Sequence, residues 1–447
     1  MTQASALLSG AVRARPATEL SGRFRAPGDK SISHRSLILG GLARGETRIS
    51  GLLESEDVLN TGKAMAALGA QVERTGEGQW IVQGRAGELN APDQPLDCGN
   101  SGTGVRLLMG VVAGAGVDAE FVGDESLSVR PMARVTRPLS QMGANFETRD
   151  GCLPAKNRAS ALTGITYAPP IASAQVKSAI LLAGLGANGI TRVEEARATR
   201  DHTETMLTAF GGEIDVQREN GGLIATLKGP QILTGQTVDV PGDPSSAAFA
   251  LVAALTVPGS SIRIENVMDN EARIGLYTTL LEMGADLRFE PGPVMAGERT
   301  RHIEARFSTL HGVEVPPERA PSMIDEYPVL SVAAASAEGE TRMMGLEELR
   351  AKESDRLAGS ADLLAANSAR FELLDDGLIV KGLGVGGVPG GGVVETRHDH
   401  RLAMSGLVLG LAAQNPVTVD ETVMIATSYP DFFAHMLALG APMEGGI

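Results

Sequence analysis

Along this chain, a run of apolar positions at helical spacing closes on Gly-Ala or Gly-Gly and leads into a segment of alternating apolar and polar residues. The pattern appears at Leu68-Gly69-Ala70, Met142-Gly143-Ala144, Phe210-Gly211-Gly212, Met283-Gly284-Ala285 and Leu439-Gly440-Ala441, with Asn367-Ser368 as a degenerate sixth copy. A glycine or asparagine just past a helix supplies the left-handed residue that ends it. Period-two alternation, as in Asp286-Leu287-Arg288-Phe289, predicts a half-buried strand. Each copy therefore predicts helix, cap, strand. The copies recur at roughly seventy to eighty residues, longer than solenoid repeats, and so describe several copies of a small α/β unit.

Six copies divide into two groups of three. The segment Val240-Pro241-Gly242-Asp243-Pro244-Ser245-Ser246 lies between an alternating strand, Gln236 to Val240, and a smooth apolar helix, Ala247 to Val257, and is the expected crossing between domains. Leu107 to Val117 is too short to span a bilayer. Its glycines mark it as buried backbone, not a regular helix throughout.

Composition agrees with two cored domains: the chain has 447 residues, 43% hydrophobic and 21% charged. A net charge of -15 and a pI near 5.0 exclude the broad basic face that nucleic acid or an anionic membrane requires, so any anion site must be local. The two cysteines, Cys98 and Cys152, form neither a disulfide framework nor a metal-ligand spacing, which fits a reducing cytosol. Met1 to Ser21 holds no sustained apolar core, so no leader and no membrane segment are expected, and the expected location is cytoplasmic.

The candidate anion site is Pro27-Gly28-Asp29-Lys30-Ser31-Ile32-Ser33-His34-Arg35, two cations and two hydroxyls behind a Pro-Gly turn. Asp29 or Ser31 can cap a following helix whose first amides then face an anion, while Lys30 and Arg35 add full charges. A capped surface helix with solvated cations would read the same way, and other motifs must decide.

Those motifs are Asn100-Ser101-Gly102-Thr103, Arg130-Pro131-Met132, Ser173-Ala174-Gln175-Val176-Lys177-Ser178, Lys352-Glu353-Ser354-Asp355-Arg356 and Asp399-His400-Arg401. Together with the first segment they resemble the 5-enolpyruvylshikimate-3-phosphate synthase family, in order from about Leu20 to Pro430. Arg200-Asp201-His202-Thr203-Glu204 and Ile324-Asp325-Glu326-Tyr327-Pro328 resemble its divergent bacterial branch, which includes the herbicide-tolerant forms.

The resemblance implies an α/β fold of two domains, each of three βαβαββ repeats with helices inside and sheets outside, an inside-out α/β barrel with the substrate cleft between them. Residues 28–242 would form one domain, and 1–27 with 243–447 a discontinuous second, with hinges near 26–30 and 241–245. The implied reaction transfers the enolpyruvyl group of phosphoenolpyruvate to the 5-hydroxyl of shikimate 3-phosphate and releases phosphate. It implies a monomer with no cofactor, no metal and no nucleic-acid or membrane partner.

Carried over by position, Lys30 would lie between both substrates and Arg35 would pair with the shikimate carboxylate. Ser31, Ser173, Ala174, Gln175, Arg200 and Lys352 would hold the shikimate phosphate, and Asp325 would stand beside the 5-hydroxyl as base. Arg130, Arg356 and Arg401 would clamp phosphoenolpyruvate, with Asn100, Gly102 and Gln175 against it and Glu353 as acid toward its methylene carbon. Lys30 is a further proton-transfer candidate. Arg suits such ligands because its planar fork binds carboxylate and phosphate in bidentate fashion. Taken singly, Glu353 reads as an ordinary charged helix turn and Ser173 as a helix cap. Gly102, lacking a side chain, would leave room for glyphosate, the slightly longer phosphoenolpyruvate mimic; tolerant members carry Ala there.

One departure is visible. The better-known branch has a lysine before a Thr-Phe-Pro triplet, whereas this chain reads Ala426-Thr427-Ser428-Tyr429-Pro430.

Competing readings are weaker. Gly382-Leu383-Gly384-Val385-Gly386-Gly387 has the dinucleotide lettering, but Val388-Pro389-Gly390-Gly391-Gly392 follows where a helix must start. Lys30-Ser31 lacks the glycines of a P-loop. His398 and His400 have no evident third metal ligand. The sibling transferase acting on a nucleotide sugar carries a reactive cysteine before its Arg-Pro pair, where this chain has Gly123-Asp124-Glu125-Ser126-Leu127-Ser128-Val129. A non-catalytic anion-binding protein would need the cations but not Asp325 and Glu353.

Overall fold

The alternating segments form strands, and among the residues described the strands assemble into six four-stranded sheets. The structure is a computed structural model describing Leu7 and residues 10–445; of the Met1 to Ser21 stretch read as lacking a leader, residues 1–6, 8 and 9 lie outside the described residues. Every sheet has one order. A first strand pairs parallel with a second, which pairs antiparallel with a third, and a fourth closes antiparallel on the third. Thr237–Asp239 pairs in this way with Glu46–Ser50, then Gln79–Gln83, then Gln71–Gly76.

The chain divides into two compact units. The first comprises Gly28–Pro241 and Met295–Glu298, and the second Met1–Pro27, Gly242–Val294 and Arg299–Ile447. Three sheets fall in each.

Among the described residues, three long helices lie at the centre of each unit. In the first unit these are α1 (Lys30–Leu42), α2 (Gly102–Ala115) and α3 (Ala174–Gly184). In the second they are α4 (Pro244–Thr256), α5 (Tyr327–Ala335) and α6 (His400–Ala412), in which every residue is buried. A helix apolar all round belongs in a core, as their sequences require. Each buried Leu or Phe there, such as Phe249 or Leu251, contributes about 1.5–3 kcal/mol.

The repeat caps have the backbone the sequence predicts, with φ of +102° at Gly69, +107° at Gly143, +80° at Gly211, +91° at Gly284 and +93° at Gly440. The degenerate copy departs from the expectation: Asn367 has φ -105° and the following Ser368 takes the left-handed conformation, at φ 58°. The expectation for Leu107 to Val117 was wrong: α2 is regular through Ala115 and ends on Gly116 at φ 62°. Its glycines serve packing. A Cβ at Gly110 would lie 2.2 Å from the Ala179 carbonyl oxygen and one at Gly114 2.9 Å from that of Ala183, so their absence lets α3 approach the backbone of α2. No helix among the described residues is long and apolar enough to cross a membrane.

Candidate active site

In both units the chemistry-bearing residues gather at the N-termini of the buried helices, where unpaired amides and the helix dipole favour anions. Asp29 caps α1, its carboxylate accepting from Ile32 N at 2.8 Å, and this puts Lys30 and Ser31 in the first turn. Lys30 is ion-paired to Asp57, a buried carboxylate on the helix Glu56–Ala67. One turn on, His34 Nδ1 lies 2.8 Å from Thr61 Oγ1. Arg35 is buried, and donates to Thr203 Oγ1 (2.7 Å), Ser178 Oγ (2.8 Å) and the Ser31 carbonyl (3.0 Å). Burial pulls its pKa down to about 10, an effect opposed by the nearby charges of Glu204 and Asp29.

At the start of α2, Ser101 accepts from Gly104 N at 3.0 Å. Two guanidiniums flank Gly102: a Cβ there would lie 3.1 Å from Arg106 Nη1 and 3.1 Å from Arg130 Nη1. Arg130 Nη2 donates to Asn100 Oδ1 and, at 3.0 Å, to Ser126 Oγ. Arg106 Nη1 donates to Gln175 Oε1 at 2.7 Å, and Gln175 Nε2 donates to Thr103 Oγ1 at 2.9 Å. Helix amides, two guanidiniums and a carboxamide thus converge on one small volume, a donor set for a phosphate or carboxylate. Ser173 precedes α3 without a cap hydrogen bond from its side chain, so the helix-cap reading of its hydroxyl does not hold.

In the second unit Arg356 is the organiser. Its Nε donates to Asp399 Oδ2 (2.8 Å) and its Nη1 to Asp325 Oδ1 (3.1 Å), while Nη2 is 2.6 Å from Glu353 Oε2. Burial alone would lower the pKa of this guanidinium, yet the charges of Asp399, Glu353 and Asp325 hold it above the ordinary arginine value. Asp399 also caps α6 through Arg401 N (2.8 Å) and accepts from Ser354 Oγ (3.0 Å). Arg401 is buried, donates from Nε to His400 Nε2 at 3.2 Å, and leaves Nη1 without a hydrogen-bond partner. Lys352 donates to Glu348 Oε1 at 2.8 Å.

Within the first unit the structure brings together Gly102, Arg130, Asn100 and Gln175, and connects Ser31 with Arg35. Within the second it brings Asp325, Glu353 and Asp399 onto the guanidinium of Arg356, which the resemblance had put in the phosphoenolpyruvate clamp. Arg200 follows Thr199, whose amide and hydroxyl bond to Glu195 at 3.1 and 2.6 Å, and precedes Asp201, which pairs with Arg218. Ala174 is the first residue of α3.

Sequence reading missed Asp57, Arg106 and Asp399 as partners. Asp399 lay inside a quoted motif as a cap signal before α6, and Arg106 stands four residues after Gly102, one helical turn away. Asp57 had no local signal. Ala426 to Pro430 carries no cation; Thr427 Oγ1 donates to the Met424 carbonyl at 2.7 Å, and the buried Tyr429 hydroxyl lies 2.9 Å from His435 Nδ1. Burial, helped by Asp97, pushes the Cys98 thiol up to about 12, so it is no nucleophile at neutral pH.

The histidines have other partners. His398 is 2.9 Å from Glu421, and His400 accepts from Arg401. Asp201, His202 and Glu298 offer ligand atoms within 4.8 Å of one another, but Asp201 pairs with Arg218 and His202 Nδ1 is 2.8 Å from Glu298 Oε1, so each already has a partner within the protein.

Comparison with known proteins agrees with this reading. The family model for EPSP synthase (3-phosphoshikimate 1-carboxyvinyltransferase) matches residues 14–436. The chain is 63% identical to a 3-phosphoshikimate 1-carboxyvinyltransferase of Maricaulis maris over 444 residues, 99% of each chain. It is 57% identical to that of Afipia carboxidovorans over 434 residues, 96% of this chain and 97% of the relative. A solved EPSP synthase of Acinetobacter baumannii superimposes with a TM-score of 0.87 at 41% identity, covering 98% of this chain and 100% of that one. With its six repeated sheets and these relatives over nearly its whole length, the chain belongs to the EPSP synthase family.

Proposed function

We propose that the side chains described divide between them the reaction of this family, in which the enolpyruvyl group of phosphoenolpyruvate passes to the 5-hydroxyl of shikimate 3-phosphate. The observation that carries this reading is that Asp325 and Glu353 share the guanidinium of Arg356. Two carboxyls held side by side can serve as base and acid in one addition.

Asp325 takes the proton of the 5-hydroxyl as its oxygen bonds to C2 of phosphoenolpyruvate. Glu353 gives a proton to the methylene carbon, forming a tetrahedral intermediate with a new methyl group. Loss of a methyl proton with cleavage of the C2–O bond to phosphate then restores the enol ether and releases phosphate. Lys30 assists proton movement and lies between the two substrates.

Ser31, Arg35, Ser173, Ala174, Gln175, Arg200 and Lys352 receive shikimate 3-phosphate. Asn100, Gly102, Arg130, Gln175, Arg356 and Arg401 receive phosphoenolpyruvate, and Arg106 joins them. The substrates bring two phosphates and two carboxylates to one reaction, and fixed cations offset their repulsion. Arg356 then exchanges a carboxylate partner for substrate. The chain crossings at Pro27–Gly28 and Pro241–Gly242 act as hinges, and the enzyme is a monomer of the cytoplasm.

Arg130→Ala tests the assignment of the clamp. It should raise the phosphoenolpyruvate concentration needed for half-maximal phosphate release by about tenfold or more, as loss of a charge-assisted pair costs roughly 1.5–3 kcal/mol, while shikimate 3-phosphate affinity stays near the parental value. An unchanged phosphoenolpyruvate requirement removes Arg130 from the site.

A further inference from the structure

Beneath the residues assigned to shikimate 3-phosphate lies a fully buried ion cluster to which the mechanism gives no role. Lys177 Nζ is 2.8 Å from Glu195 Oε2 and 2.8 Å from Glu204 Oε1, and the three side chains are 0%, 0% and 2% exposed. They come from three different elements: α3, the end of strand Gly189–Glu195, and the helix His202–Ala209.

Each partner leads to a residue of the proposed pocket. On α3, Lys177 is one turn from Ser173 and Ala174 and two residues from Gln175, and its neighbour Ser178 accepts from Arg35 and from Thr203. Glu195 holds Thr199 by both amide and hydroxyl, which fixes the backbone directly before Arg200. Glu204 follows Thr203, which accepts from Arg35 Nε at 2.7 Å, and its charge opposes the lowering of the Arg35 pKa that burial causes.

A buried ion cluster is poor evidence for stability as such. The cost of desolvating three charges roughly cancels their attraction, and apolar residues of similar volume usually hold a core at least as well. What ions and their hydrogen bonds add is definition of position. Burial raises the Glu204 pKa, and the nearby Lys177 ammonium opposes that rise.

We propose that Lys177 is a positioning residue for the shikimate 3-phosphate pocket: by holding Glu195 and Glu204 together, its ammonium sets Arg200 and Arg35 against Ser173 and Gln175. The proposal rests on the assignment of those four residues to that substrate.

The test is the pair of variants Lys177→Met and Lys177→Met/Glu204→Gln in the full chain, with shikimate 3-phosphate binding measured by calorimetry alongside steady-state kinetics and melting temperature. The double variant keeps the net charge of the cluster, and Glu195 keeps its bonds from the Thr199 amide and hydroxyl, so its melting temperature should stay within a few degrees of the parent. Its dissociation constant for shikimate 3-phosphate should still rise on the order of tenfold, since small displacements of positioning groups are costly. Turnover at saturation and the phosphoenolpyruvate requirement should change less than about threefold. A merely structural cluster predicts a different split: lower stability in Lys177→Met, restored in the double variant together with parental affinity. That result overturns the proposal. Should the double variant not fold, Glu204→Gln alone decides, with a weaker shikimate 3-phosphate affinity expected and an unchanged one contradictory. A parental chain that binds no shikimate 3-phosphate overturns the substrate assignment, and this proposal with it.

Discussion

His34 and Thr61 join α1 to the helix Glu56–Ala67 by a single buried hydrogen bond, 2.8 Å from Nδ1 to Oγ1. The Thr61 hydroxyl donates to the Asp57 carbonyl at 3.3 Å, so the network assigns the imidazole proton to Nδ1. Nε2 is buried without a hydrogen-bond partner. Burial, with the charges of Lys30 and Arg35, pushes the His34 pKa well below 6.5, and the ring is neutral in the folded protein.

This has a pH consequence of definite sign. A group whose pKa is depressed by folding contributes stability that is complete above its unfolded value and is lost as pH falls below it. Below about pH 6.5 the unfolded chain takes up a proton that the folded His34 does not, and stability should decline by about 1.4 kcal/mol per pH unit from this residue. His34→Asn retains a donor for Thr61 and should remove that increment from the slope of urea stability between pH 6.5 and 5. The half-buried His435, also depressed chiefly by burial, leaves a residual slope in both proteins. Identical slopes would show that His34 titrates normally.

Asp325→Ala and Glu353→Gln should each reduce turnover by about a hundredfold or more while shikimate 3-phosphate still binds, because the lost step is proton transfer. Each leaves Arg356 two of its three carboxylates, including the fully buried Asp399, so the fold should persist. Turnover assays paired with calorimetry check this, and near-parental turnover in either variant removes that residue from its role.

Gly102→Ala would set a methyl group 3.1 Å from both Arg106 Nη1 and Arg130 Nη1. Contacts this close require the guanidiniums to move by a few tenths of an ångström, narrowing the space for a phosphoenolpyruvate mimic. The longer glyphosate should suffer more than the shorter substrate. Inhibition curves at matched phosphoenolpyruvate saturation should shift for glyphosate by a larger factor than the substrate requirement shifts. Superimposable curves for parent and variant would show that Gly102 does not gate the inhibitor.

How far the sequence revealed all this depended on whether a signal was local. The Gly69, Gly143, Gly211, Gly284 and Gly440 caps were legible because a left-handed residue is a property of the backbone at that residue. The Asp29 cap was legible because an aspartate beside the first turn can bond its free amides whatever the rest of the fold does. Gly110 and Gly114 were misread as helix breakers because their purpose, the approach of α3, is supplied by residues far along the chain. Lys30 and Arg35 were found as types, but not their engagement: nothing local pairs Lys30 with Asp57 or Arg35 with Ser178 and Thr203. The cluster around Lys177 stayed invisible inside a motif read only for its first three residues.

The family's reaction joins two specific anions with release of phosphate. It is tested most directly by following phosphate release from the purified protein given phosphoenolpyruvate with shikimate 3-phosphate, each substrate alone, and phosphoenolpyruvate with a nucleotide sugar. Sustained release is expected only when phosphoenolpyruvate and shikimate 3-phosphate are both present. Release with the nucleotide sugar in place of shikimate 3-phosphate, or no release with both substrates, would contradict it.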